Sequence, residues 1–245
     1  MNFVEKSKYF KFDKNGIPIV YYNGKDVDFP ITVINYYIGL LDTDSLSLSN
    51  LSNLNIYLNK NIGLNNTFLF KHDFDEKNWG NKPVWYSNLP HAMLFSFLCR
   101  LNPIELNIFS NNLKFYFDSI FHKEIYGNGI FVEYPSIISQ PQNGQLFGLF
   151  AMFDAFNVNM LSQESLNFHI NKSLLLAQSQ MTFLGWTKYN GNRLASPFYH
   201  FLHLNQYRVC ENYDSRFRKL YLRALIGVIW YPFVVIYKLI KKVFC

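Results

Sequence analysis

The chain has few charged residues, few cysteines and no apolar N-terminal run. Only 16% of its 245 residues are charged, and Cys99, Cys210 and Cys245 form an odd set without metal-ligand spacing. Reduced thiols in a cytoplasmic protein fit that pattern best. Residues 1–14 mix charges with Phe and Tyr, so they lack the continuous apolar core of a signal peptide. We therefore expect a cytoplasmic protein.

The sequence also lacks a nucleic-acid-binding signature. Its net charge of +6 suits an anionic partner, namely an acidic glycan, a membrane surface or nucleic acid. No block of Lys and Arg interleaves with aromatic residues away from the C-terminus, so nucleic acid is not expected as a partner. The 25 Phe and 17 Tyr residues exceed the needs of an ordinary core. They could line a sugar-binding groove, although composition alone favours a Phe-filled core.

Strand-like alternation is scarce, and no Gly- or Pro-rich linker divides the chain. Short strand patterns occur only around 17–22, 67–70 and 130–134, whereas most other segments have apolar residues at helical spacing. The sequence predicts a single all-α domain over 1–222, with paired helices that can pack as an α/α toroid, an incomplete α/α barrel. The predicted helices cover 31–41, 46–59, 88–101, 104–122, 144–157, 161–182 and 200–210, with a last helix beginning near Ser215.

The C-terminal segment 223–245 differs from the rest of the chain. Fourteen uncharged residues, Ala224 to Tyr237, lie between clusters of Lys and Arg. This run is shorter than the roughly 20 residues of a spanning helix, and Pro232 would kink it. One interpretation is a helix on the inner face of an anionic membrane, bound through residues 216–242. The other is a last helix that packs on the domain or on a partner chain, including a second copy in a homodimer.

Two kinds of proton-transfer group stand near the predicted turns. Glu133 follows the apolar residues Ile130 to Val132, and burial there would raise its pKa toward that of a general base. It could instead pair with an Arg or cap the next turn. Tyr134, Tyr189 and Tyr199 could donate protons, since a phenol with a pKa of about 10 is protonated at neutral pH. A lone Tyr is usually structural.

Two histidines form a polar stripe on one predicted helix. His200 and His203 are three residues apart and share a face with Gln206. They could bind a carboxylate, provide half of a metal site or be hydrogen-bonded core residues. No third metal ligand is identifiable, so we expect neither a metal nor another cofactor.

Five motifs follow one another along the chain, namely Trp85-Tyr86-Ser87, Glu133-Tyr134-Pro135, Asn143-Gly144, Gly185-Trp186-Thr187-Lys188-Tyr189, and Tyr199-His200 with His203 and Gln206. Together they resemble the C-terminal catalytic domain of D-glucuronyl C5-epimerases. Their order and approximate spacing agree from about Tyr9 to about Leu220. The animal enzymes have a second Glu where this chain has Val132, and they carry additional β-rich domains.

The resemblance implies an α/α toroid isomerase that inverts C5 of glucuronyl residues in a heparosan-type polysaccharide. It implies that Glu133 and Tyr199 are the opposed acid/base pair, with Tyr134 and Tyr189 beside them. Arg193 lies near the position of a family arginine. The remaining motif residues would contact the substrate, namely Trp85, Tyr86, Asn143, His200, His203 and Gln206.

The chemistry of the reaction agrees with this assignment. A C5 hydrogen is acidic only because of the adjacent carboxylate, so the site must neutralise that group, through His200, His203 or Arg193. Two alternatives remain open. A polysaccharide lyase begins with the same proton abstraction, and a non-catalytic glycan-binding or assembly protein would keep the cleft without the chemistry.

Overall fold

The computed structural model describes residues 11–22, 25–63, 67–72, 81, 84–191 and 193–244. The described chain is mostly helical with small antiparallel sheets, which confirms the predicted helical class. Internal contacts divide the chain into two compact units, one ending at Tyr126 and the other beginning at Gly127. Each unit has its own set of buried apolar side chains. The sequence predicts no boundary at this point.

The first unit combines helices with two small sheets. Strands β1, β2 and β3 form one antiparallel sheet, and β4 pairs with β5. Helix α1 packs against α3 and β2, and α3 also packs against α5. The elements are α1 (Pro30–Asp42), α2 (Leu48–Asn59), α3 (Asn88–Cys99), α4 (Pro103–Asn107), α5 (Leu113–Ser119), β1 (Lys11–Phe12), β2 (Pro18–Tyr22), β3 (Lys25–Val27), β4 (Lys71–His72) and β5 (Trp85–Tyr86).

Two details of this unit differ from the sequence prediction. The segment predicted as one helix over 104–122 is two short helices, α4 and α5, separated by turns. Asn102 caps α4 through the backbone N–H groups of Ile104 and Glu105, and Pro103 occupies its first turn. No strand forms over the predicted range 67–70, where Phe68 makes a single β-bridge to Ile62. The nearest strand, β4, begins one residue later, at Lys71.

The second unit contains five longer helices. Helix α6 packs against α7 and α8, and α8 packs against α9. The elements are α6 (Gln142–Asn157), α7 (Gln163–Ser179), α8 (Pro197–Glu211), α9 (Arg216–Gly227), a 3₁₀ turn (Val228–Trp230), α10 (Tyr231–Phe244), the paired strands β6 (Tyr126–Gly127) and β7 (Ile130–Phe131) at the start of the unit, and the paired strands β8 (Lys188–Asn190) and β9 (Arg193–Leu194).

Local sequence explains where α6 and α8 lie. The Ser196 hydroxyl accepts a hydrogen bond from the Tyr199 N–H, and Pro197 starts α8, so Tyr199 lies in the first turn. Gly148 of α6 lies directly against the Phe131 ring, where a Cβ atom would overlap the ring carbons. The absence of a side chain at Gly148 lets β7 approach α6 closely. This approach brings Glu133, two residues after β7, to the N-terminal end of α6.

Candidate functional site

The second unit brings together the residues that the resemblance implied for catalysis. Glu133 and Tyr134 lie in the connection before α6, Tyr189 lies in β8, and Tyr199 lies in the first turn of α8. We call these four residues the carboxyl–phenol cluster. They are up to 66 positions apart in sequence, yet each of the three phenols interacts electrostatically with the Glu133 carboxyl or is hydrogen-bonded to it.

Glu133 is the buried acid of this cluster. Its side chain is 4% exposed, and burial raises the pKa of its carboxyl from 4.5 to about 8. Hydrogen bonding by Tyr134, Tyr189 and Asn143, and by the backbone N–H of Gly144, opposes this rise. These donors do not satisfy both oxygens, since Oε2 is buried with no hydrogen-bond partner among the described residues. With a pKa of about 8 the carboxyl is mostly protonated at neutral pH and is ionised in a minor fraction of molecules, and its Oε2 is enclosed by protein.

Gln140 fixes the loop that carries Glu133. Its Oε1 accepts hydrogen bonds from the N–H groups of Glu133 and Tyr134, at 2.8 and 3.1 Å. Its Nε2 donates to the carbonyls of Tyr134 and Ile137, at 3.0 and 2.6 Å. In turn, the Gln140 carbonyl accepts a 2.7 Å hydrogen bond from Gln180. Sequence reasoning missed Gln140, because nothing in its neighbourhood distinguishes it from a surface loop residue.

Tyr189 and Tyr199 form an aromatic pair beside the carboxyl. Their ring centroids are 4.4 Å apart and their planes are inclined by 59°. Burial raises the pKa of both phenols, and the nearby Glu133 charge raises them further. The Tyr189 hydroxyl is in hydrogen-bonding reach of both the Tyr199 hydroxyl and the Glu133 carboxyl. Tyr199 and Tyr134 are only partly buried, so the cluster reaches solvent at these two side chains.

Buried amides border the cluster on α6 and α8. Asn143 lies in the first turn of α6. Nε2 of Gln206, on α8, donates a hydrogen bond to the backbone carbonyl of Asn143 at 3.3 Å. The side-chain oxygens of both residues, Oδ1 and Oε1, are buried without a hydrogen-bond partner in the described part of the chain. Unpartnered buried acceptors are costly. Both acceptors are enclosed by protein beside the cluster, where they make this part of the site polar.

His200 and His203 lie in the core of the second unit rather than at the surface. Both rings are fully buried, and Nδ1 of each lies within hydrogen-bond distance of the Thr187 hydroxyl, at 3.0 and 2.9 Å. The Thr187 N–H also donates to Nδ1 of His200, whose Nε2–H donates to the Ala224 carbonyl at 3.1 Å. Trp186 stacks on the His200 ring with a centroid distance of 4.0 Å.

This environment determines the charge of both histidines. Burial lowers the pKa of His200 to about 4 and that of His203 to about 3. Both rings are therefore neutral at physiological pH and hold α8 against β8 and α9. The partner that the two histidines share is Thr187. It belongs to the same sequence motif as Tyr189, so its position in that motif was a signal that it could lie near the site.

Three further candidate residues have different surroundings. Arg193 is exposed in β9, directly opposite Asn190 of β8, so it lies on the hairpin that carries Tyr189. Trp85 and Tyr86 belong to the first unit, where they form β5 and Trp85 stacks on His72 with a centroid distance of 4.1 Å.

Within the described ranges, no group of three or more His, Cys, Asp or Glu side chains could hold a metal ion. No model of a known protein family matches the sequence, and no curated protein is significantly similar to it.

Proposed function

We propose that the second unit is the catalytic part of a C5-epimerase-like isomerase acting on glucuronyl residues of a heparosan-type polysaccharide. The observation that carries the proposal is the buried Glu133 carboxyl, with a pKa of about 8, inside a cluster of three phenols. As in the epimerase family that the sequence resembles, we propose that the helices belong to an α/α toroid.

The two catalytic groups have complementary roles. The Glu133 carboxylate removes the C5 hydrogen from one face of the sugar ring, and its raised pKa makes it roughly a thousandfold stronger as a base than an ordinary Glu. The Tyr199 phenol returns a proton to the opposite face and inverts the centre. In the reverse direction the two groups exchange roles. Tyr189 contacts both groups and holds them in position for the transfer.

The substrate carboxylate needs a positive charge, because the intermediate after proton removal is enolate-like. His200 and His203 are neutral and closed to solvent, so they support α8 and do not bind this group. Arg193 is exposed on the Tyr189 hairpin, and its planar guanidinium matches the geometry of a carboxylate. We assign the substrate carboxylate to Arg193. Asn143 and Gln206 are buried like the histidines, so we assign Asn143 to holding the Glu133 carboxyl and Gln206 to holding the start of α6.

The test is hydrogen exchange at C5. The full chain is incubated with uronic-acid polysaccharides in heavy water, and deuterium at C5 is measured by NMR together with the ratio of the two epimers. We expect deuterium incorporation without chain cleavage. Glu133→Gln and Tyr199→Phe should each abolish incorporation, because each removes one proton-transfer group. Two exposed residues supply the matched controls, since Glu164→Gln on α7 and Tyr213→Phe after α8 should exchange normally.

The other outcomes identify the alternatives. Retained exchange in both Glu133→Gln and Tyr199→Phe would show that the assigned roles are wrong. Formation of an unsaturated, ultraviolet-absorbing chain end would identify a lyase, since β-elimination starts from the same carbanion. Glycan binding that is unaffected by Glu133→Gln, with no exchange, would identify a binding or assembly protein.

A further inference from the structure

The C-terminal helix exposes a continuous apolar stripe. The exposed residues recur every three or four positions through α9, the 3₁₀ turn and α10, so they share one face over a length of about 27 Å. Ile229, near the middle, is 72% exposed. We call this set the exposed stripe, and it consists of Leu222, Ile226, Ile229, Phe233, Ile236 and Ile240.

The opposite face of the same helix is fixed to the domain. Its buried residues have the same spacing but lie roughly on the other side of the helix, and they pack toward α8. The hydrogen bond from His200 to the Ala224 carbonyl ties α9 to α8 in addition. The buried residues are Phe217, Leu220, Ala224, Gly227 and Val234.

This attachment decides between crossing a membrane and lying on one. Residues 216–240 form the one stretch of the described chain that is long and apolar enough to span a bilayer. Spanning would place the buried face, with α8 and its neutral histidines, in the hydrocarbon layer, where polar groups are costly. A helix lying in the plane of the interface needs only its exposed stripe in contact with lipid.

Two other elements expose apolar side chains beside this helix. Phe183, which is 92% exposed, lies in a turn that is held against α9, because Arg223 Nη2 donates to the Thr182 carbonyl at 3.1 Å. Phe201 of α8 is partly exposed, and its ring centroid is 6.4 Å from that of Tyr231 at the start of α10. Three separate elements therefore expose aromatic or aliphatic side chains in the C-terminal part of the second unit.

The charge of this region indicates what covers it. Residues 211–245 contain seven Lys and Arg but only Glu211 and Asp214, a net charge of +5 out of +6 for the whole chain. Both acids precede the helix and pair with Arg218 and Arg216. No acidic residue occurs from residue 216 onward. An apolar stripe with basic flanks and with aromatics such as Trp230 fits the headgroup layer of an anionic bilayer.

We propose that the exposed stripe, Phe183 and Phe201 form a docking face for the surface of an anionic lipid membrane. The helix lies in the plane of the interface, its apolar side chains enter the boundary of the hydrocarbon layer, and the basic residues contact the lipid headgroups. This proposal concerns binding alone and does not depend on the proposed chemistry, because it can be measured without a glycan.

The test is co-sedimentation of the full chain with lipid vesicles. We expect strong binding to vesicles that contain phosphatidylglycerol, weaker binding to pure phosphatidylcholine, and a loss of binding as salt is raised. The double variant Ile229→Asp with Phe233→Asp should weaken binding by at least about tenfold. Phe183→Ser should weaken it by several-fold. The control is Ile56→Asp on α2, a 52% exposed position of the first unit, which should bind normally.

Several results would overturn the proposal. The first is a wild-type chain that does not bind anionic vesicles. The second is a double variant that binds them as well as wild type does. Resistance of the bound protein to alkaline carbonate extraction would indicate a spanning helix. A wild-type dimer that becomes monomeric in the double variant, without vesicle binding, would show that the face joins two copies of this chain. Circular dichroism of each variant separates these results from simple misfolding.

Discussion

The phenol ring of Tyr189 lies against that of Tyr199, with centroids 4.4 Å apart, and its hydroxyl is also within hydrogen-bonding reach of the Glu133 carboxyl. Tyr189 therefore connects the two groups that we propose to act on opposite faces of a sugar. Tyr189 is more deeply buried than Tyr199 and contacts both proton-transfer groups, so we assign it to positioning them.

Tyr189→Phe should raise the pKa of Glu133 above its value of about 8. Burial, the cause of the high pKa, is unchanged by this substitution, whereas one hydrogen bond that lowers the pKa is lost. Since the base is the carboxylate, the rising limb of the pH profile for exchange should move to higher pH. Exchange at neutral pH should fall about tenfold for each unit of this shift.

Carbon-13 NMR of the glutamate carboxyls provides an independent measure of the same pKa. Tyr199→Phe is the matched substitution, and it should leave the Glu133 pKa near 8, because Tyr199 makes no hydrogen bond to this carboxyl. An unchanged titration in Tyr189→Phe would contradict the role of Tyr189 as a connecting donor.

Glu133 should make the folded state less stable as the pH rises. Its pKa is raised from 4.5 in the unfolded chain to about 8 in the fold, so the folded state binds more protons between these values. Stability contributed by the protonated carboxyl is complete below pH 4.5 and is lost as the pH rises through 8. The total loss is roughly 5 kcal/mol.

The comparison of wild type with Glu133→Gln isolates this effect. His200 and His203 act in the opposite direction, because their lowered pKa values of about 4 and about 3 make the fold more stable as the pH rises toward 6.5. Both proteins share these histidines. In urea unfolding, the amide variant should therefore gain stability relative to wild type between pH 5 and pH 9; a constant difference would refute the assigned pKa.

Gly144→Ala should displace the Glu133 carboxyl without unfolding the protein. A Cβ atom at residue 144 would lie 2.5 Å from Oε2 of Glu133, so the carboxyl must move. Gly144 lies in the first turn of α6, where Ala is also a better helix former than Gly, and this preference offsets part of the strain. We expect a folded protein with a melting temperature close to wild type and exchange reduced by about a hundredfold or more. Normal exchange would show that the carboxyl position is not critical.

The sequence was most informative where local signals coincide. The helix predicted over 200–210 is present as α8 and starts three residues earlier, at Pro197, and the apolar run before Glu133 correctly indicated a buried carboxyl. These predictions needed only neighbours in the chain. The pairing of Tyr189 with Tyr199 was expected only through the resemblance, because it depends on a hairpin that no periodicity indicated.

The surroundings of the histidines could not be predicted from their spacing. Positions 200 and 203 share a helix face whether that face points to solvent or to the core. This face points to the core because His200 contacts the Thr187 hydroxyl and the Ala224 carbonyl, and both partners are distant in sequence. The break between α4 and α5 was missed for another reason, because the apolar residues on both sides keep a helical spacing across the turns.

Thr187→Val should destabilise the second unit. The Thr187 hydroxyl is a partner of Nδ1 in both His200 and His203, and His203 Nε2 is already buried without a partner in the described ranges. Valine keeps the shape of the side chain but leaves the buried His203 ring with no hydrogen bond, at a cost of about 1–3 kcal/mol. His200 is affected less, because the Thr187 N–H still donates to it.

Thr182→Val is the matched control for this substitution. The Thr182 hydroxyl oxygen is also buried, but it has no hydrogen-bond partner among the residues that the structure describes. Its removal should be neutral or slightly stabilising, since an unpaired polar group is replaced by an apolar one. Urea denaturation of both variants measures the difference directly. Equal destabilisation by the two substitutions would show that lost packing volume, and not the hydrogen bonds to the histidines, is what Thr187 contributes.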